Sequence, residues 1–154
     1  MVYMTASIGV SMYPNDGADG KALLLGADQA MYAAKAQGRN NYQYFTPSLQ
    51  IKASYRAGVI SELRTALEKG QFQLHYQPIV NLMSGKVSHA EALIRWHRTS
   101  GEVVPPSSFI EIAEESGLIV EIGDWVWQEA LRFLSSLERP PEFTLAINVS
   151  ASQF

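Results

Sequence analysis

The chain contains no cysteine. That rules out disulfide staples and thiolate metal sites, and it fits a cytoplasmic setting, where structural disulfides are rare. Long apolar runs are missing as well. No stretch approaches the roughly 20 residues needed to cross a bilayer. The opening MVYMTASIGV lacks the basic region and unbroken apolar core of a secretory signal. Charge is sparse: charged residues make up 18% of the 154, and the net charge is −3. A nucleic-acid polymer therefore finds no broadly basic surface here. A smaller anionic ligand would need a local cluster of positive groups, backbone amides or a metal. Histidine is also scarce. His75, His89 and His97 lack the compact helical spacing of a zinc motif and fall short of its three or four ligands. What the chain does have is 47% hydrophobic residues, the balance of a folded globular protein.

Those hydrophobic residues fall into periodic blocks. Val2, Met4, Ala6, Ile8 and Val10 share one parity and predict a half-buried strand. YPNDGADG supplies turn residues. Leu23, Leu24, Ala27, Ala30, Met31 and Ala34 predict a helix that Gly38 closes, and NYQYF predicts a short strand. A second helical block over 54–69 aligns Ile60, Leu63 and Leu67 and reads as a linker helix ended by Gly70. Then come a strand (FQLHYQPIV), a turn at Ser84–Gly85, a second strand (KVSHAEALIRW) and a short helix with Ser108 and Glu111 at capping-box spacing. A longer helix (IGDWVWQEALRFLSSL), a break at Pro140–Pro141 and a last strand (FTLAINVS) follow. This order predicts an α/β domain with a parallel sheet. The chain stops directly after a strand, which reads as a piece of a longer protein.

The tripeptide Glu-Ala-Leu occurs twice, and the copies differ. Glu129 lies off the apolar stripe formed by Ile122, Val126, Ala130, Phe133, Leu134 and Leu137, so it belongs to a solvated helix face within reach of Arg132. Glu91 sits in a strand. Alternation there places Val87, His89, Glu91, Leu93 and Arg95 on one face and the apolar Ala90, Ala92, Ile94 and Trp96 on the other. Two readings of the first face stand: an ordinary Glu91–Arg95 pair on an exposed sheet, or charges turned into a cleft, where they are costly unless paired, metal-bound or used. In the last strand, Phe143, Leu145, Ile147 and Val149 oppose Thr144, Ala146 and Asn148. Asn148 is either a turn or cap residue or a site residue at a strand's C-terminal end. Glu91 and Asn148 are hard oxygen donors of the kind Mg²⁺ or Mn²⁺ takes. Gln77 is either a ligand-binding amide or a satisfied polar group of the sheet.

FQLHYQPIVNLMSGKVSHAEALIRW, PPSSFIEIAEESGLIVEIGDWVWQEA and LAINVSASQF, in that order, resemble the first part of an EAL domain, the cyclic di-GMP phosphodiesterase family. The segment TASIGVSMYPNDGADGKALLLGADQAMYAAKAQGRNNYQYF resembles the C-terminal part of a GGDEF domain, the diguanylate cyclase family. The resemblance implies three parts: a cyclase-like α+β strand–helix–strand over 1–45, a linker helix over 46–70, and a partial TIM-like barrel over 71–154. It further implies a catalytic, metal-binding Glu91, a metal-binding Asn148, and Gln77, Leu93 and Arg95 as contacts to cyclic di-GMP. The metal would be Mg²⁺ or Mn²⁺, and the reaction hydrolysis to linear pGpG. His89 stands where the family carries a small residue. Lys35 and Arg39 match basic residues that contact phosphate in the cyclase family, and near a helix C-terminus they are equally at home in its dipole. The family's later carboxylates and lysine have no counterpart here, so the 154-residue chain is expected to be inactive by itself, and unpaired strand edges are expected to favour self-association. The other reading is a non-catalytic, cyclic di-GMP-binding regulatory module.

Overall fold

The computed structural model describes residues 3–138 and 143–153; Val2 and the Pro140–Pro141 break lie outside them. The chain divides into two compact units, Met1–Gly58 and Val59–Phe154.

In the first unit, strand β1 (Ile8–Val10), helix α1 (Gly20–Ala36) and strand β2 (Tyr42–Tyr44) follow one another, and the two strands pair in parallel with Ile8 beside Tyr42. Asp19 caps α1 by accepting from the Ala22 N–H at 2.8 Å. Gly38 follows the helix with φ of +100°, as the sequence predicts. α1 lies very close to β1. A Cβ on Gly9 would stand 1.8 Å from the Ala27 carbonyl oxygen. The first strand is shorter than the apolar alternation suggests, because β2 offers partners only from Tyr42 to Tyr44. Met4 is exposed and Ile8 half-exposed. Leu24, expected on the buried stripe, is exposed; α1 buries the small residues Gly26, Ala30 and Ala34.

Helix α2 runs from Pro47 to Ala66 and begins before the predicted 54–69 block. A proline suits a first helical position, and the early turns carry no apolar stripe to announce them. Its later turns, which belong to the second unit, bury Val59, Leu63 and Ala66.

The second unit is built on a mixed sheet. β3 (Phe72–Val80) and β4 (Val87–His97) form an antiparallel hairpin, β5 (Val103–Val104) pairs antiparallel with β4, and β6 (Thr144–Ile147) pairs parallel with it. The parallel sheet expected from element order holds for β4 and β6 and is corrected for β3 and β5, which pair antiparallel with β4. The link between β3 and β4 is too short for a crossover. Asn81 ties it into a turn by accepting from the Met83 and Ser84 N–H groups. Only β4 to β6, with two helices between them, has the length for parallel pairing.

Helices α3 (Ile110–Ser116) and α4 (Ile119–Ser136) complete the unit. The capping box expected of Ser108 and Glu111 does not form. Ser108 falls in a 3₁₀ turn, Pro106–Ser108, and fully buried Phe109 takes the N-cap position without a side-chain hydrogen bond. Trp96, Phe109, Phe72, Leu63 and Ile122 form the main core. The Trp96 indole N–H donates to Gln71 Oε1 at 3.0 Å. Ala92 and Leu74 pack under Ala130 of α4. The predicted apolar face of β4 is therefore the packed one, and its other face presents the candidate side chains His89, Glu91, Leu93 and Arg95.

Candidate functional site

Alternation along β4 turns His89, Glu91, Leu93, Arg95 and His97 away from α4. Antiparallel pairing sets Gln77 opposite Glu91, His75 opposite Leu93 and Gln73 opposite Arg95; residues that face one another across a ladder share a side of the sheet. On the other edge, parallel pairing sets Thr144 beside His89 and Ala146 beside Glu91. Asn148, one place beyond the end of β6, has the same parity and comes level with Leu93.

This topology joins the two outer candidates. Asn148 Nδ2 donates to Glu91 Oε1 at 2.7 Å across 57 residues of sequence. The side chain is thus committed to Glu91, not to a local turn or cap. Because the amide nitrogen faces Glu91, Glu91 Oε2 and Asn148 Oδ1 remain as oxygen donors. Gln77 is exposed opposite Glu91. The Glu91–Arg95 pair that charge alone suggests does not form: Arg95 Nη1 donates to the Ile94 carbonyl at 2.8 Å. Leu93 separates the two charged side chains, half-buried.

His89 is held in place. Its Nδ1 lies 2.6 Å from the Ser88 carbonyl oxygen and 2.9 Å from Thr144 Oγ1. A carbonyl only accepts, so Nδ1 carries the proton and the ring is tethered at the start of β4. At the far end, the rings of His75 and His97 approach to 6.2 Å. Among the described residues, no group of three or more His, Cys, Asp or Glu side chains is placed to hold a metal.

On its edge away from β3, β4 has no strand partner among the described residues between the last β6 partner, Ala92, and the first β5 partner, Trp96. A hollow of about 380 Å³ opens there, lined by Leu93, Ile94, Ile110, Val126 and Asn148 among others. Its wall includes a contact that sequence reasoning missed. Gln153 folds back to accept from the Ser150 N–H at 3.0 Å, and its amide lies against Gly123 of α4, where a Cβ would stand 2.0 Å from Nε2. This seats the turn after Asn148 on the helix. The only hint in the sequence is a glycine inside a helical block, which often marks a close approach.

The second Glu-Ala-Leu copy finds the expected Arg132 partner on α4, but Glu129 is half-buried and not on an open face. Burial pushes the Tyr76 hydroxyl above its usual range, and the Glu129 carboxylate adds to the shift. Lys35 lies over the Tyr32 ring in the last turn of α1, and Arg39 adopts a left-handed backbone with φ of 60°.

The family model for the EAL domain matches residues 60–154, and that for the diguanylate cyclase GGDEF domain matches residues 1–41. The chain is 41% identical over 155 residues to the bifunctional diguanylate cyclase/cyclic di-GMP phosphodiesterase MucR of Pseudomonas aeruginosa, covering 99% of this chain and 23% of that protein. It is 43% identical over 151 residues to the cyclic di-GMP phosphodiesterase NbdA of the same organism, covering 97% of this chain and 19% of that protein. To the cyclic di-GMP phosphodiesterase PdeR of Escherichia coli it is 38% identical over 153 residues, with 99% and 23% covered. The chain thus spans about a fifth of the length of these relatives. Among solved structures, the MucR phosphodiesterase in complex with c-di-GMP matches with a TM-score of 0.55 and 39% identity, over 61% of this chain and 39% of that one. The FimX EAL domain of Xanthomonas citri in complex with c-di-GMP matches with a TM-score of 0.54 and 34% identity, over 65% and 39%.

Proposed function

From the premise that the chain belongs to the EAL domain family and carries a GGDEF-family segment ahead of it, we propose that it forms part of a cyclic di-GMP phosphodiesterase. The reaction is hydrolysis of one phosphodiester bond: water supplies hydroxide to phosphorus, the P–O3′ bond breaks, and the 3′ oxygen leaves with a proton as linear pGpG. The observation that carries this reading is the Glu91–Asn148 contact beside Gln77 and on the face of Leu93 and Arg95. Two hard oxygen donors converge there, one charged and one neutral. This fits Mg²⁺ or Mn²⁺ in kind, since Mg²⁺ commonly takes one or two carboxylates and fills its other positions with water and phosphate oxygens. A bound divalent ion would lower the pKa of a coordinated water and neutralise charge on the phosphate.

The remaining roles belong to the chain's own side chains. Asn148 holds Glu91 in one rotamer by donating to Oε1. Gln77 supplies an amide to the ligand at the same row. Arg95 offers further guanidinium N–H donors to phosphate oxygens. Leu93 provides an apolar wall between the charged rows and keeps water from filling the gap. We place this segment in the cytoplasm, whether or not other parts of the protein tether it to a membrane. Among the described residues no helix is long and apolar enough to cross a membrane. Self-association through the EAL segment is part of the same proposal.

The test is turnover of cyclic di-GMP to pGpG by the longer GGDEF–EAL protein that carries this segment, with Glu91→Ala and Asn148→Ala beside it. Each variant is expected to lose at least the roughly 10–100-fold that even outer-shell partners of a metal contribute. Unchanged turnover in both would sink the assignment. Tight binding without turnover in the unaltered protein would instead make it a cyclic di-GMP receptor.

A further inference from the structure

We infer that His75 and His97 flank Arg95 as a second part of the ligand site, a donor-rich subsite for phosphate oxygens. The inference rests on the reading of this face as a cyclic di-GMP site and extends it to two residues that neither the metal donors nor the Gln77 row uses.

The register carries the argument. His75 is level with Leu93, and the His97 N–H donates to the Gln71 carbonyl at the other end of the ladder. Their attachment points are therefore two same-face rows apart, about 13 Å at the usual rise per residue. Yet their ring centroids are 6.2 Å apart. Both imidazoles therefore lean inward over the row between them, which is the row of Gln73 and Arg95. Three nitrogen-bearing cationic or neutral side chains and one amide meet there.

Among the described residues, no carboxylate on this face is paired with them. The groups presented by the neighbouring strands are Gln73 and Gln77 from β3, Thr144, Ala146 and Asn148 from β6, and Val103 from β5. The one carboxylate is Glu91, two rows away and engaged by Asn148. Arg95 spends one N–H on the Ile94 carbonyl and keeps the rest of its fork. His97 Nε2 is enclosed without a hydrogen-bond partner. An enclosed orphan N–H is rarer than an enclosed orphan acceptor, so the proton of the neutral ring belongs on Nδ1, which leaves Nδ1–H as the donor His97 can offer. A guanidinium fork, two imidazoles and an amide gathered without a paired carboxylate suit an acceptor-only ligand group, and a phosphate is the one that a cyclic dinucleotide supplies.

The experiment follows the imidazole ¹⁵N resonances of the full chain as inorganic phosphate, GMP and cyclic di-GMP are added at fixed pH and ionic strength. Saturable shifts of the His75 and His97 rings are expected. His75→Ala and His97→Ala are each expected to weaken dinucleotide binding roughly 10-fold, with His97→Asn recovering part of the loss, because its amide nitrogen stands near the place of Nδ1. Should a variant fail to fold, the ring shifts in the unaltered chain decide. Silent rings under all three additions, with Arg95→Ala and Gln77→Ala still weakening the dinucleotide, overturn the subsite and leave the phosphodiesterase reading standing. Rings that answer phosphate while the dinucleotide does not bind support the subsite and sink that reading.

Discussion

At the scale of single residues, the two-residue period of a strand did most of the work. Parity alone places Glu91, Leu93 and Arg95 together and predicts which face of β4 is packed, because a side chain's direction in a strand is set by its position in the alternation. The partner of Glu91 was not legible in the same way. Asn148 is equally at home in a turn, and only the pairing of β4 with β6 brings it to 2.7 Å. Tyr76 offers a test at this scale. It stacks on Phe133, and its raised pKa comes first from burial and then from Glu129. The folded state thus holds that proton more tightly than the unfolded chain. The corresponding stability is fully present below the unfolded tyrosine value, about 10, and is lost as pH rises through the folded value. Urea unfolding from pH 9 upward should show the unaltered chain losing stability faster than Tyr76→Phe; parallel pH profiles would contradict this. Glu129→Gln should reduce the difference.

At the scale of elements, helices were read well where they bury large residues and poorly where they bury small ones or none. α4 matches its stripe from Ile122 to Ala130. α1 buries glycine and alanine, so the leucines that signalled its inner face are partly outside. Two glycines make opposite predictions. Gly9 has the α1 backbone within 1.8 Å of its missing Cβ, so Gly9→Ala must push helix and strand apart and should lower the melting temperature clearly. Gly58 sits within α2 and meets nothing within 4 Å. Gly58→Ala should stabilise by up to about 1 kcal/mol, since alanine loses less backbone freedom on entering a helix. Leu63→Ala on the same helix empties a nearly fully buried position and should cost about 2–5 kcal/mol, measured as a shift in urea midpoint.

At the scale of the whole molecule, element order suggested a parallel sheet; β4 and β6 do pair that way, and the short β3–β4 link makes β3 antiparallel. Connection length, not element type, decides that point. Among the described residues β3 pairs only with β4, so one edge of a nine-residue strand is bare, and Leu82 and Met83 are almost wholly exposed in the adjoining turn. Sedimentation should show concentration-dependent self-association of the 154-residue chain, reduced when a charge is placed on the edge as Ile79→Lys; a monomer at all concentrations would contradict it. With two convergent oxygen donors, this chain is expected to bind cyclic di-GMP with little or no turnover to pGpG, read by chromatography.

The contact between Glu91 and Asn148 also has a consequence in time. A hairpin closes within microseconds, so β3 and β4, and with them the Gln77–Glu91 row, can assemble early. The site cannot. It waits for 57 residues to be looped back and for the four-residue β6 to dock on its one described neighbour, a distant and entropically costly closure. The same economy runs in reverse. β6 amides should exchange with solvent through smaller openings than those of β4, so the chain can lose its site while most of its fold persists.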